Sequence, residues 1–128
     1  MAKYVTETLQ DLNNDVNGEA FKTNNSLKEI LKYAFLPQFK FILPEGNPPY
    51  REDSAPQGMT PSNMWQEIRR FYVFLRADLT PVKREGLFIS MLEGLYPEEA
   101  KLLLLIKDQN ITSKYPNITS ESIAHLLV

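Results

Sequence analysis

Three features of the chain predict an all-α fold: apolar residues recurring at helical spacing, prolines that open successive helices, and connections too short to let neighbouring helices part. The expected architecture is a compact single-domain bundle of about five short helices over residues 1–128, with a proline-rich extended strap between its N-terminal and C-terminal helices. Its parts are N-terminal helices over 1–36, the strap over 37–60 and a helical core over 61–128. A chain of 128 residues can hide roughly two thirds of its unfolded surface, so its core needs no staples.

Tyr4, Val5, Leu9 and Leu12 sit at approximately helical spacing, which predicts an amphipathic helix over 2–13. A further turn is expected over 18–22, and Asn24 and Asn25 then break the pattern. Ser26 with Glu29 reads as a capping box, after which Leu27, Ile30, Leu31, Ala34 and Phe35 mark one face as far as Pro37. Phe39, Phe41 and Leu43 alternate with Lys40 and Ile42 as an extended strip, since one isolated strand cannot satisfy its own ladder. The stretch LPEGNPPYREDSAPQGMTP excludes a helix, and Leu43, Tyr50 and Met59 are its expected anchors on the core.

Thr60-Pro61 and Thr80-Pro81 each place a hydroxyl at an N-cap and a proline at the first helical position. From the first start, Met64, Trp65, Ile68, Phe71, Tyr72 and Leu75 draw one apolar stripe on a helix over 61–76. The second helix carries Leu87, Phe88, Met91, Leu92 and Leu95 and ends near Gly94. Pro97 opens a third, with Glu98 and Glu99 in the turn where the helix dipole favours negative charge, and Leu102 to Ile106 make it the central, buried helix. A last helix is expected over 119–127.

The composition excludes several chemistries. With no cysteine there is no disulfide framework, thiolate metal site or cysteine nucleophile. His125 is the single histidine and sits near the end of the chain, so neither a catalytic triad nor a zinc site is expected. No phosphate-cradling glycine loop is present. Catalytic, cofactor and metal residues are all expected to be absent, which makes the chain a non-enzyme. The N-terminal segment lacks a secretory signal and Leu102–Ile106 is far too short to span a bilayer, so no export and no membrane are expected. The Asn110-Ile-Thr and Asn117-Ile-Thr acceptors then carry no meaning.

Formal charge is −2 and the pI is near 5.4, so nucleic-acid binding requires a local patch. Arg69, Arg70, Arg76, Lys83 and Arg84 are the one basic concentration, facing Glu67, Asp78 and Glu85. Beside them, Pro48, Pro49 and Tyr50 form a pre-ordered segment able to dock in an aromatic groove of this chain or of a partner. These eight residues are the candidate partner-binding set. Tyr33, Phe35, Phe39 and Phe41 offer a stripe for homo-oligomerisation.

LPEGNPPY at 43–50, the helix PSNMWQEIRRFYVFL, and LTPVKREGLFISMLEGLYPEEAKLLLLIKD with its following segment occur in that order. In this the chain resembles a family of small, uncharacterised proteins of large contractile-tailed bacteriophages, notably myoviruses infecting cyanobacteria; the likeness covers about residues 25–128. The resemblance implies a viral protein working in the host cytoplasm or the virion, and it carries no site residues. The expected function is protein–protein interaction in a phage or phage–host complex, with a phage or host protein as partner. The alternative is an accessory nucleic-acid-binding protein using the basic face of 61–84.

Overall fold

The computed structural model describes residues 4–44, 47–52, 59–60 and 62–127. It is all-α, a compact fold whose described residues contain no strand. The α-helices are α1 (Val5–Asn14), α2 (Asn25–Phe35), α3 (Met64–Glu67), α4 (Pro81–Glu93) and α5 (Pro97–Lys107), and short 3-10 segments join them. As its apolar run predicts, α5 is the central helix: Ala100, Leu102, Leu103, Leu104 and Ile106 are buried, and α1, α2 and α4 pack around it.

Both N-terminal helices begin at their caps. Tyr4 donates its N–H to Glu7 Oε1 at 3.0 Å, and α1 buries Val5, Leu9 and Leu12. The expected Ser26 capping box is displaced, because Asn24 caps α2 by accepting the Leu27 N–H at 3.0 Å. The short amide that disfavours a helix interior is a strong cap, so the residue read as a breaker is the start signal. Pro37 ends α2 and begins a 3-10 turn over Pro37–Phe39.

The alternation expected over 39–43 holds in burial but not in backbone, since Phe39 ends the 3-10 turn and the chain bends at 42–43. Phe41 is buried, Ile42 faces outward, and the Ile42 N–H donates to the Phe74 carbonyl at 2.8 Å. Tyr33, Phe39, Phe41, Phe71, Phe74 and Phe88 form an aromatic cluster with ring centroids 5.0–6.2 Å apart, mostly edge-on. Phe35 packs against the same core. The stripe offered for homo-oligomerisation is therefore consumed inside the molecule.

The helix expected over 61–76 is α-helical for one turn only, and Ile68–Leu75 is 3-10. Asn63, not Thr60, caps it by accepting the Gln66 N–H at 3.1 Å, while Pro61 lies outside the described residues. Three residues per turn align Ile68, Phe71 and Phe74 on the core, whereas Tyr72 rotates outward and is 56% exposed. The start at Thr80 is as expected: its hydroxyl accepts the Lys83 N–H at 3.2 Å.

Glu98 and Glu99 separate sharply. Glu98 stays at the surface, 3.5 Å from Lys101 Nζ and 3.7 Å from Lys114 Nζ. Glu99, read from sequence as a dipole-complementing residue, is fully buried. It accepts the Met64 N–H at 3.3 and 3.4 Å and also the Val5 N–H, so the first residues of α3 and α1 both meet the first turn of α5 at one carboxyl group. Burial outweighs those hydrogen bonds and pushes its pKa up to about 7.

At its C-terminus α5 closes in a Schellman turn, with Asn110 N–H donating to Leu105 O at 2.8 Å and Gln109 N–H to Ile106 O at 3.0 Å. Gln109 holds φ 53, a position that usually selects glycine. Its amide explains the choice, donating to Leu36 O at 2.8 Å and Tyr33 O at 3.2 Å and so capping the end of α2. The expected final helix over 119–127 is instead a set of turns with a 3-10 segment at Ala124–Leu126. Thr119 and Ser122 exchange side-chain and backbone hydrogen bonds there, offering the backbone an alternative to helix. This tail lies on α1: Asn117 bonds Asn13 twice, and buried Tyr115 donates its hydroxyl to Thr6 O at 3.3 Å.

Two predictions test these contacts. Folded Glu99 binds its proton more tightly than the unfolded chain does, so the associated stability is full below about pH 4.5 and is lost as pH rises through 7, a change of about 3 kcal/mol. Thermal melts from pH 5 to 8 should show a decline in the wild type that Glu99→Gln flattens; parallel curves would refute this account of Glu99. Gln109→Ala keeps the strained backbone and removes two capping hydrogen bonds, so urea unfolding should show a loss of about 2 kcal/mol.

Candidate functional site

The described surface has its main functional interest where the 40–44 strip, the 76–80 loop and α4 meet. Arg84 organises this place from beneath. Its guanidinium donates to Ile42 O at 3.1 Å, to Leu79 O at 2.8 Å, and to Arg76 O at 3.2 and 3.3 Å. Sequence analysis placed Arg84 among cations open to a partner, and the structure corrects this, since only 6% of it is exposed. A signal was available: Arg84 lies four residues before Phe88 and seven before Met91, on the buried side of α4.

The remaining cations do not assemble into one face. Arg76 forms a fork with Asp78 at 2.6 and 3.0 Å, and that hydrogen-bonded pairing holds the Asp78 carboxyl below its usual range. Arg70 Nη1 lies 3.2 Å from Glu67 Oε2 and donates to Glu67 Oε1 at 3.5 Å, and Ser62 Oγ donates to the same Oε1 at 2.8 Å. Arg69 and Lys83 are exposed and make no ion pair among the described residues.

The strap is held at Pro44 and at Arg51. Buried Lys107 donates to Pro44 O at 2.9 Å and pairs with Asp108, and the Arg51 N–H donates to Glu93 Oε2 at 2.9 Å. Leu43 and Tyr50 pack against the core as expected, and burial followed by the nearby Glu52 pushes the Tyr50 phenol up. Met59 does not anchor, being 72% exposed. Pro49 faces solvent, whereas Pro48 is half-buried and helps wall a hollow.

That hollow has a volume of about 220 Å³ and is lined by Leu43, Asn47, Pro48, Glu85, Phe88 and Lys107. Leu43 and Phe88 give it an apolar floor, while Lys107 and Glu85 add one ammonium donor and one carboxylate acceptor. Ile42, 44% exposed, immediately precedes Leu43, and Val82, 83% exposed, lies one helical turn before Glu85. A second, more open hollow of about 400 Å³ lies on the far side of Asn47, over Leu104 and Leu105 and between Lys101 and Lys114. Of the eight residues singled out from sequence, only Pro48 touches either hollow. Sequence reasoning missed Glu85 and Lys107.

Among the described residues, no three histidine, cysteine or carboxylate side chains gather as a metal site would require. No described helix is long and apolar enough to cross a membrane. Arg84 should prove irreplaceable by another cation, because an ammonium cannot reach three carbonyls with one planar fork. Arg84→Lys is expected to cost about 2 kcal/mol in denaturant unfolding and to speed amide exchange over 76–80. A neutral result would remove Arg84 as organiser of this surface.

No curated protein and no solved structure matches the chain. A family model does, over residues 12–113, from α1 to the turn after α5. The chain therefore belongs to DUF6433, a family of unknown function.

Proposed function

We propose that this chain is a non-enzymatic protein-binding module of a bacteriophage, acting in a phage or phage–host complex in the host cytoplasm or in the virion. The viral setting rests on the ordered sequence elements from LPEGNPPY through PEEAKLLLLIKD. The binding role rests on one observation: Ile42 and Val82 stand exposed on the strip and on α4, the two segments that also contribute Leu43, Glu85 and Phe88 to an apolar-floored hollow, while Arg84 and Lys107 hold the Ile42 and Pro44 carbonyls. Apolar side chains displayed on rigid supports favour association, since little conformational freedom is lost on docking.

The nucleic-acid reading has less support. With Arg84 inside, and Arg70 and Arg76 beside carboxylates, Arg69 and Lys83 are left as the unpaired cations of the basic stretch. About two phosphate contacts give shallow salt dependence and weak affinity.

The tagged chain, recovered from infected cells, should bring down a stoichiometric protein that Ile42→Asp and Val82→Asp lose while their melting temperatures stay within a few degrees of wild type. Recovery of the free chain alone, or a partner indifferent to both substitutions, would sink the reading.

A further inference from the structure

We infer that the hollow beneath the strap receives one bulky apolar side chain of a partner segment, and that the residue next to it is a lysine or arginine which pairs with Glu85. This deepens the protein-binding reading and rests on it. Size decides the first part. At about 220 Å³ the hollow is smaller than the roughly 300–1,000 Å³ typical of sites for cofactors and drug-sized molecules, yet it is roomy enough for a leucine, methionine or phenylalanine side chain. Its floor, Leu43 and Phe88, is apolar.

Charge decides the second part. Lys107 is neutralised by Asp108 and donates to Pro44 O, which occupies two of its three N–H groups. The third is available for a main-chain carbonyl of the incoming segment. Glu85 is half-buried in the same lining and makes no ion pair among the described residues, Lys107 being paired with Asp108 instead. The hollow thus presents a surplus of negative charge. An extended segment carrying an apolar residue beside a basic one satisfies all three features, whereas an apolar–acidic pair meets repulsion from Glu85.

Short capped peptides test this directly. Acetyl-Leu-Arg-amide, titrated into the isotope-labelled full chain, is expected to shift the NMR signals of Leu43, Asn47, Glu85 and Phe88 and to saturate at millimolar concentration. Acetyl-Leu-Glu-amide should bind at least tenfold more weakly, and Glu85→Lys should invert that order. Equal responses to both peptides, no shift at these four residues, or an unchanged order in Glu85→Lys would overturn the inference. Leu43→Trp, which fills the hollow, separates the two levels of argument. A captured partner lost with Val82→Asp but kept with Leu43→Trp leaves the protein-binding reading standing and removes the hollow from it. A partner kept by both variants removes the reading itself, while the peptide titration still reports on the hollow.

Discussion

Backbone that leaves helical structure must still satisfy its polar groups, and this fold does so with buried charged side chains of α4 and α5 and with the half-buried amide of Gln109 in the turn after α5. Between the end of α2 and the start of α3 the described chain has no ladder to join. Arg84 serves the carbonyls of Ile42, Arg76 and Leu79, Lys107 serves Pro44, and Gln109 serves Tyr33 and Leu36. Glu99 does the complementary work for two helix N-termini, accepting the N–H groups of Val5 and Met64. Removing any of these side chains leaves partly or fully buried polar groups without their protein partner, so each contact helps to hold a segment in place.

Much of this fold was legible from short-range signals. Thr80-Pro81 and Pro97 marked α4 and α5 because a cap and a first-turn proline act within four residues, and the run Leu102–Ile106 identified the central helix by composition alone. The 3-10 segment Ile68–Leu75 was not legible. Its apolar residues also fit an α-helical stripe, and the choice of period is made by packing against the aromatic cluster. Asn24 was misread because an amide that breaks a helix and one that caps it are the same residue in different registers, and Asn63 was passed over because Thr60-Pro61 offered a cap of the same kind three residues earlier.

The candidate site was less legible, for a different reason. Arg84, Glu99 and Lys107 belong to types that default to solvent, and the groups they satisfy lie far away in sequence: Ile42 is 42 residues from Arg84, and Pro44 is 63 from Lys107. No local pattern carries such a pairing. The count of basic residues in 61–84 consequently overstated the free charge of that stretch, since Arg84 is turned inward onto carbonyls and Arg70 and Arg76 lie beside carboxylates. What remained was an apolar edge and a hollow, which charge counting cannot reveal.

The hollow itself follows from the way the strap is held. Pro44 is pinned through its carbonyl by Lys107 and Arg51 through its N–H by Glu93, while Pro48 between them has a fixed φ and no N–H to fold inward. These contacts hold the described strap residues off Leu43 and Phe88, although closing the void would recover dispersion contacts along its lining. The opening is therefore maintained by constraints outside it. An incoming side chain meets a space already formed, and the free energy of its burial goes into association instead of rearrangement.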